Sequence, residues 1–170
     1  MHRLSLAFAA LALPSPALAA DDPAAACPSV PVPSAGRWVG WNGPPRGISA
    51  GTTIVDMPAL AIGAPIRLRL SPPDAVTPVV APGRPLDPAR FSGLVTISVP
   101  RAGRVGIALS DAASIDVVSK GEAQASLDHG HGPDCSGIRQ ILWFDLQPGT
   151  HIVQIVNNPD PEITAMAVIA

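Results

Sequence analysis

The sequence predicts an all-β fold: an antiparallel, jelly-roll-like β-sandwich with a Pro-rich N-terminal arm. Three observations predict it. Apolar and polar residues alternate with period two in several short runs, turn residues separate those runs at regular spacing from Phe91 onward, and no stretch carries a useful length of amphipathic helical period. Aromatics are only 4% of the 170 residues, so the core has to be built from Val, Ile, Leu and Ala, and β-branched side chains suit pleated sheets.

Residues 1–20 read as a secretory signal peptide. Arg3 gives a positive start, Leu4 to Leu13 an apolar run too short to span a bilayer, and Ala17-Leu-Ala-Ala20 the small residues a signal peptidase requires. Cleavage before Asp21 leaves ten Lys and Arg against thirteen Asp and Glu, since Arg3 departs. A chain of this size buries roughly 68–70% of its unfolded surface, enough for one core, so a single soluble domain is expected over 35–170. No later stretch has the ~18 uninterrupted apolar residues of a membrane span, and the basic residues are scattered singly or as Arg67 and Arg69. A second membrane anchor and nucleic-acid partners are thereby disfavoured, and a periplasmic or secreted protein is expected.

Residues 21–34 form the arm. Its Cys-Pro-Ser-Val-Pro-Val-Pro spacing removes amide donors and holds φ near extended values, which denies a helix. Trp38 and Trp41 follow between glycines and prolines. Apolar pieces come at Thr52–Val55 and Pro65–Leu70; in the second, Ile66, Leu68 and Leu70 alternate with Arg67 and Arg69, the mark of a half-buried strand. Six prolines between Ser71 and Arg90 make that stretch a long connection with at most short or edge pairing.

Beyond Phe91 the alternation sharpens. Val95, Ile97 and Val99, a turn over Pro100–Gly103, and Val105, Ile107 and Leu109 predict a β-hairpin. Strands are expected at Ser114–Ser119 and Glu122–Leu127 around a Lys120-Gly121 turn, and a Gly-rich loop at Asp128–Gly137. The strand Gly137–Leu146 should place Ile138, Leu142, Phe144 and Leu146 on one face and Arg139, Ile141, Trp143 and Asp145 on the other. Strands at His151–Val156 and Ile163–Ile169 complete the pattern.

Cys27 and Cys135 are the only cysteines. An even count in an exported chain usually pairs, and a bridge here would close a loop of about 108 residues, worth roughly 4–5 kcal/mol by chain entropy. The alternative is a free thiol beside a pair of histidines.

Hydrolase signatures are missing: Gly-x-Ser-x-Gly, His-Glu-x-x-His and phosphate-cradling Gly-rich loops do not occur, and nothing selects one Ser-His-Asp set from the scattered serines. Asp74, Asp87, Asp111 and Asp160 adjoin Pro, Gly or Ser, as solvated turn residues do. Two clusters remain. Trp38, Trp41 and Trp143 are either plugs at the sandwich ends or an aromatic platform for a sugar or other planar ligand, with Asn42 and Arg37 supplying hydrogen bonds; the ligand-binding candidates are Trp143, Arg139 and Trp41. Asp128, His129, His131, Asp134 and Cys135 fall within eight residues. His129 and His131, spaced by Gly130, can turn two imidazoles toward one ion, with Asp128 and Asp134 as oxygen donors, so the possible cofactors are Cu, Zn or Fe. The competing reading is a solvated loop with Cys135 consumed by the disulfide.

The stretches His129-Gly-His-Gly-Pro-Asp-Cys135-Ser-Gly-Ile-Arg139 and Trp143-Phe-Asp-Leu-Gln-Pro-Gly149 resemble a family of short secreted bacterial proteins of unestablished activity, whose members often carry the label homogentisate 1,2-dioxygenase. The resemblance covers most of the mature chain and implies a shared fold and export rather than that activity. The ring-cleaving dioxygenase is a far longer cytosolic cupin protein that holds iron with two histidines and a glutamate, whereas here the mature glutamates are Glu122 and Glu162 alone. The C-terminal half is also similar to small sandwich domains appended to secreted peptidases, with His151 where those carry an aromatic; this likeness concerns the fold. The expectation is an exported domain that binds a small molecule, a glycan or an exported protein. The runner-up is a metal-binding protein or a metal-dependent oxidoreductase such as a dioxygenase, centred on the His-Gly-His loop.

Overall fold

A computed structural model describes residues 27, 28 and 31–170. The expected signal peptide and most of the arm lie outside the described residues. The rest is an all-β sandwich of two sheets. One sheet has six strands: β1 (Arg46–Ser49), β2 (Ile66–Arg69), β4 (Gly103–Leu109), β7 (Asp128–Gly130), β8 (Gln140–Leu146) and β10 (Glu162–Ile169), in the order β1-β2-β10-β4-β8-β7. The other has four: β3 (Phe91–Val99), β5 (Ser114–Ser119), β6 (Glu122–Gln124) and β9 (Gly149–Asn158), in the order β3-β9-β5-β6.

The period-two residues make the core, as alternation dictates. Ile66, Leu68, Val105, Ile107, Leu109, Phe144, Leu146 and Ile163 from the first sheet meet Val95, Ile97, Val99, Val117, Val153 and Ile155 from the second. β5 has the bounds expected of it, and Lys120 and Gly121 both adopt positive φ, 52° and 82°, which suits the two-residue turn into β6.

Several expectations are corrected. β3 and β4 do not form a hairpin: β3 pairs with β9, while β4 lies between β10 and β8 in the opposite sheet. The Pro100–Gly103 turn therefore carries the chain across the core. The sandwich is not wholly antiparallel either, because β1 runs parallel to β2. β6 stops at Gln124 rather than Leu127, and the expected loop at Asp128–Gly137 begins with β7, paired to β8. Ile138 precedes β8 and packs with Ile141 and the tryptophans instead of sharing the face of Phe144.

The Pro-rich connection over residues 71–90 has no strand of its own, as expected, and is tied down by two side chains of β9, Asn157 at Pro85 and Asp87 and Gln154 at Val79 and Val80. Gln154 of β9, with 0% exposure, accepts from Val79 N–H at 2.8 Å through Oε1 and donates through Nε2 to Val80 O at 3.2 Å and Asp116 Oδ2 at 3.0 Å. Every polar atom of that buried amide has a partner, which avoids the cost of leaving one unmade.

The apolar piece at Thr52–Val55 forms a turn and not a strand, with Ile54 and Val55 exposed. Asp56 organises it by accepting from the backbone N–H and the hydroxyl of both Thr52 and Thr53. These bonds, the backbone bond from Thr53 foremost, lower the carboxyl pKa to about 2. A depressed pKa stabilises the turn above the ordinary carboxylate value of 3.8 and loses that contribution as pH falls towards 2. An NMR titration should find the Asp56 carboxyl midpoint near 2, with the Thr52 and Thr53 amide shifts following it. A midpoint at the ordinary value would remove the turn's anchor.

Candidate functional site

Outward-facing residues of the six-stranded sheet form a second, smaller core. The 3₁₀ helix Gly36–Asn42 lays Trp38 and Trp41 over Ala108, Ile138, Ile141, Met166 and Val168, with Trp143 partly buried at its edge. The tryptophans thus cover a sheet face and do not plug the sandwich ends. Trp143 rests on Gly106, its register partner on β4, where a Cβ would stand 2.7 Å from the ring; a glycine is required there for so close an approach. Trp38 meets Trp143 edge-on at 6.0 Å, and the guanidinium groups of Arg37 and Arg104 lie 5.5 and 5.0 Å from the ring centre. Trp143 is therefore dressed by its own chain's cations.

Beyond the helix the same face opens into two adjoining depressions. One, of about 410 Å³, is lined by Trp41, Asn42, Arg67, Ser110, Ser136 and Thr164, with Pro31 and Pro33 at its rim. The other, of about 390 Å³, is lined by Gly47, Ser49, Arg67, Arg69 and Glu162. Arg67 belongs to both, so the two form one groove. Alternation on β2 accounts for this: Ile66 and Leu68 enter the core, which leaves both arginines outside. The disulfide frames the groove. Cys27 and Cys135 are bonded, with Cα atoms 5.3 Å apart, and Val32 N–H donates to Cys135 O at 2.8 Å. Asn42 Oδ1 then accepts from Ser34 N–H at 2.6 Å, fixing the arm against the helix.

The histidine loop is divided by strand pairing. His129 and His131 have ring centres 6.2 Å apart. His129 lines a crevice of about 420 Å³ between the sheet edges, with Arg84, Asp116, Ser126 and Gln140. His131 Nδ1 lies 2.9 Å from Arg139 O and 3.4 Å from the Arg139 guanidinium; a carbonyl can only accept, so the shorter bond puts the proton on Nδ1. Asp128, on the opposite face of β7, pairs with Arg104 at 3.2 Å. Asp134 is exposed in the Pro133–Ser136 turn. Among the described residues no group of three or more His, Cys, Asp or Glu side chains is placed to hold a metal ion. Of the expected ligand-binding residues, Trp41 lines the groove, Trp143 stands under Arg37 and Arg104, and Arg139 sits beside His131.

Sequence reasoning missed a polar mouth at one end of the sandwich. The inward-facing row of β9 runs Ile155, Val153 and then His151, which is buried at 5% exposure, and the matching row of β5 runs Ile115, Val117 and then Ser119. Ser119 Oγ and His151 Nδ1 are hydrogen-bonded at 2.5 Å, and His151 Nε2 bonds Gln147 O at 2.8 Å. Lys120, Glu122, Gln124, Asp145 and Gln147 complete a pocket of about 390 Å³. His151 standing where an aromatic was expected was the only signal of it.

No protein-family model matches the chain, and no curated protein is significantly similar to it. Among the described residues no helix is long and apolar enough to cross a membrane, and the disulfide fits an oxidising, extracellular compartment.

Proposed function

We propose that the chain is an exported, periplasmic or secreted binding domain whose groove beside Trp41 takes an acidic glycan. The observation that carries this reading is Arg67, shared by both depressions and flanked by the hydroxyl and amide groups of Ser49, Ser110, Thr164 and Asn42. A guanidinium presents a planar fork that matches a carboxylate or sulfate, while short hydroxyl and amide side chains suit sugar hydroxyls. The depressions fall in the range of about 300–1,000 Å³ typical of ligand sites. The ion pair there, Arg69 with Glu162 at 3.9 Å, is well exposed and contributes little, so an incoming anion can replace Glu162 as the partner of Arg69.

Calorimetric titration with a uronate oligosaccharide, a sulfated one and a neutral one of equal length tests the reading. The acidic sugars should bind and the neutral one should not. Arg67→Ala should weaken binding by about tenfold or more, since a charge-assisted hydrogen bond is worth ~1.5–3 kcal/mol, and Arg139→Ala should leave it unchanged. Equal heats for all three sugars would overturn the proposal. Stoichiometric Zn, Cu or Fe in protein from its native compartment, lost in His129→Ala/His131→Ala, would favour the metal-binding alternative.

A further inference from the structure

The polar mouth is independent of the groove, and its chemistry is of a different kind. Inward positions of a sandwich are normally apolar, and those of β9 and β5 are apolar until His151 and Ser119. There two groups capable of proton transfer replace the core and face a pocket open to solvent.

The hydrogen bonds fix their roles. Gln147 O accepts only, so His151 Nε2 carries a proton and donates it. In the neutral ring the lone pair is then on Nδ1, and it faces the Ser119 hydroxyl, which donates to it. A serine hydroxyl bonded to a histidine nitrogen, with the other nitrogen oriented by a third group, is the arrangement that activates a nucleophile. A backbone carbonyl holds the ring here, where a carboxylate often does. Glu122, Asp145 and Lys120 also line this pocket, so charges of both signs lie at its walls.

We propose that Ser119 is a covalently reactive serine, poised by His151 for acyl transfer from small esters. As Ser119 Oγ forms a bond to the ester carbonyl carbon, its proton passes to His151 Nδ1. Collapse of the tetrahedral intermediate breaks the bond to the alkoxide, which leaves with that proton. Water then attacks the acyl-serine, giving its proton to Nδ1, and the acid departs as Ser119 Oγ recovers the proton. Atoms and charge balance without a further reactant. The pocket of about 390 Å³ beside Ser119 has room for a small acyl group.

The test is incubation of the oxidised full-length protein with diisopropyl fluorophosphate, followed by intact mass and peptide mapping. One adduct, mapped to Ser119 and formed with loss of fluoride, is the expected result. It should be absent in Ser119→Ala, at least tenfold slower in His151→Asn, and unaffected by Arg67→Ala, which separates this site from the groove. No adduct on the native protein, or adducts spread over several serines, would overturn the proposal. That measurement needs only the wild-type chain, so a poorly folding His151 variant leaves it decisive.

Discussion

Replacing Ile107 by Asp should abolish cooperative unfolding altogether. Ile107 is at 0% exposure on β4, with β10 on one side and β8 on the other, and it faces the inter-sheet core. A carboxylate there has neither water nor a cationic partner, and burying an unpaired charge costs several kcal/mol against a total stability of about 5–15 kcal/mol. Val55→Asp introduces the same group at a position 89% exposed, and should change stability by no more than about 0.5 kcal/mol. Thermal melts followed by circular dichroism compare the two. A cooperative transition in Ile107→Asp near that of the parent would mean that β4 is not a central strand.

The second large effect is expected on reduction. The Cys27–Cys135 bridge spans 108 positions, and chain-entropy models assign about 4.7 kcal/mol to a loop near that length. For a chain of this size, with each kcal/mol worth about 2–4 °C, the melting temperature of Cys27→Ser/Cys135→Ser should fall by roughly 10 °C or more. The loss should also reach the groove, because the bridge holds the arm beside Val32 and the turn that carries Ser136. Weaker sugar binding should therefore accompany the lower melting point. Labelling of two free thiols in the native, unreduced protein would refute the bridge itself.

What could be read in the sequence follows from what alternation records. It records which face of a strand is buried, so Ile66–Leu70, Val95–Val99 and Val105–Leu109 were identified as core-facing without reference to their neighbours. It does not record the strand's partner. Val95–Val99 and Val105–Leu109 look the same whether they pair with each other or face one another across a core, and the hairpin expectation failed on that ambiguity. β1 escaped notice because only Ile48 is partly buried in it. The disulfide was legible from an even count of cysteines and export. The Ser119–His151 contact was not, since it joins residues 32 positions apart through the β5–β9 register. Trp143 looked like a platform because the sequence could not show Arg104 reaching over it to Asp128.

The placement of β10 bears on how the chain comes to fold. This strand follows all the others in sequence, yet it stands between β2 and β4 and joins the β1–β2 pair to the rest of its sheet. β9, the next latest, likewise joins β3 to β5. Neither sheet can therefore be assembled from the N-terminal side as synthesis proceeds. Pairing so distant in sequence makes the search slow, because a large loop must close before any contact rewards it. An incomplete chain lacks the strands that unite each sheet, which favours threading during the proposed export, and removing the segment Glu162–Ile169 should cut the six-stranded sheet into β1–β2 and β4–β8–β7.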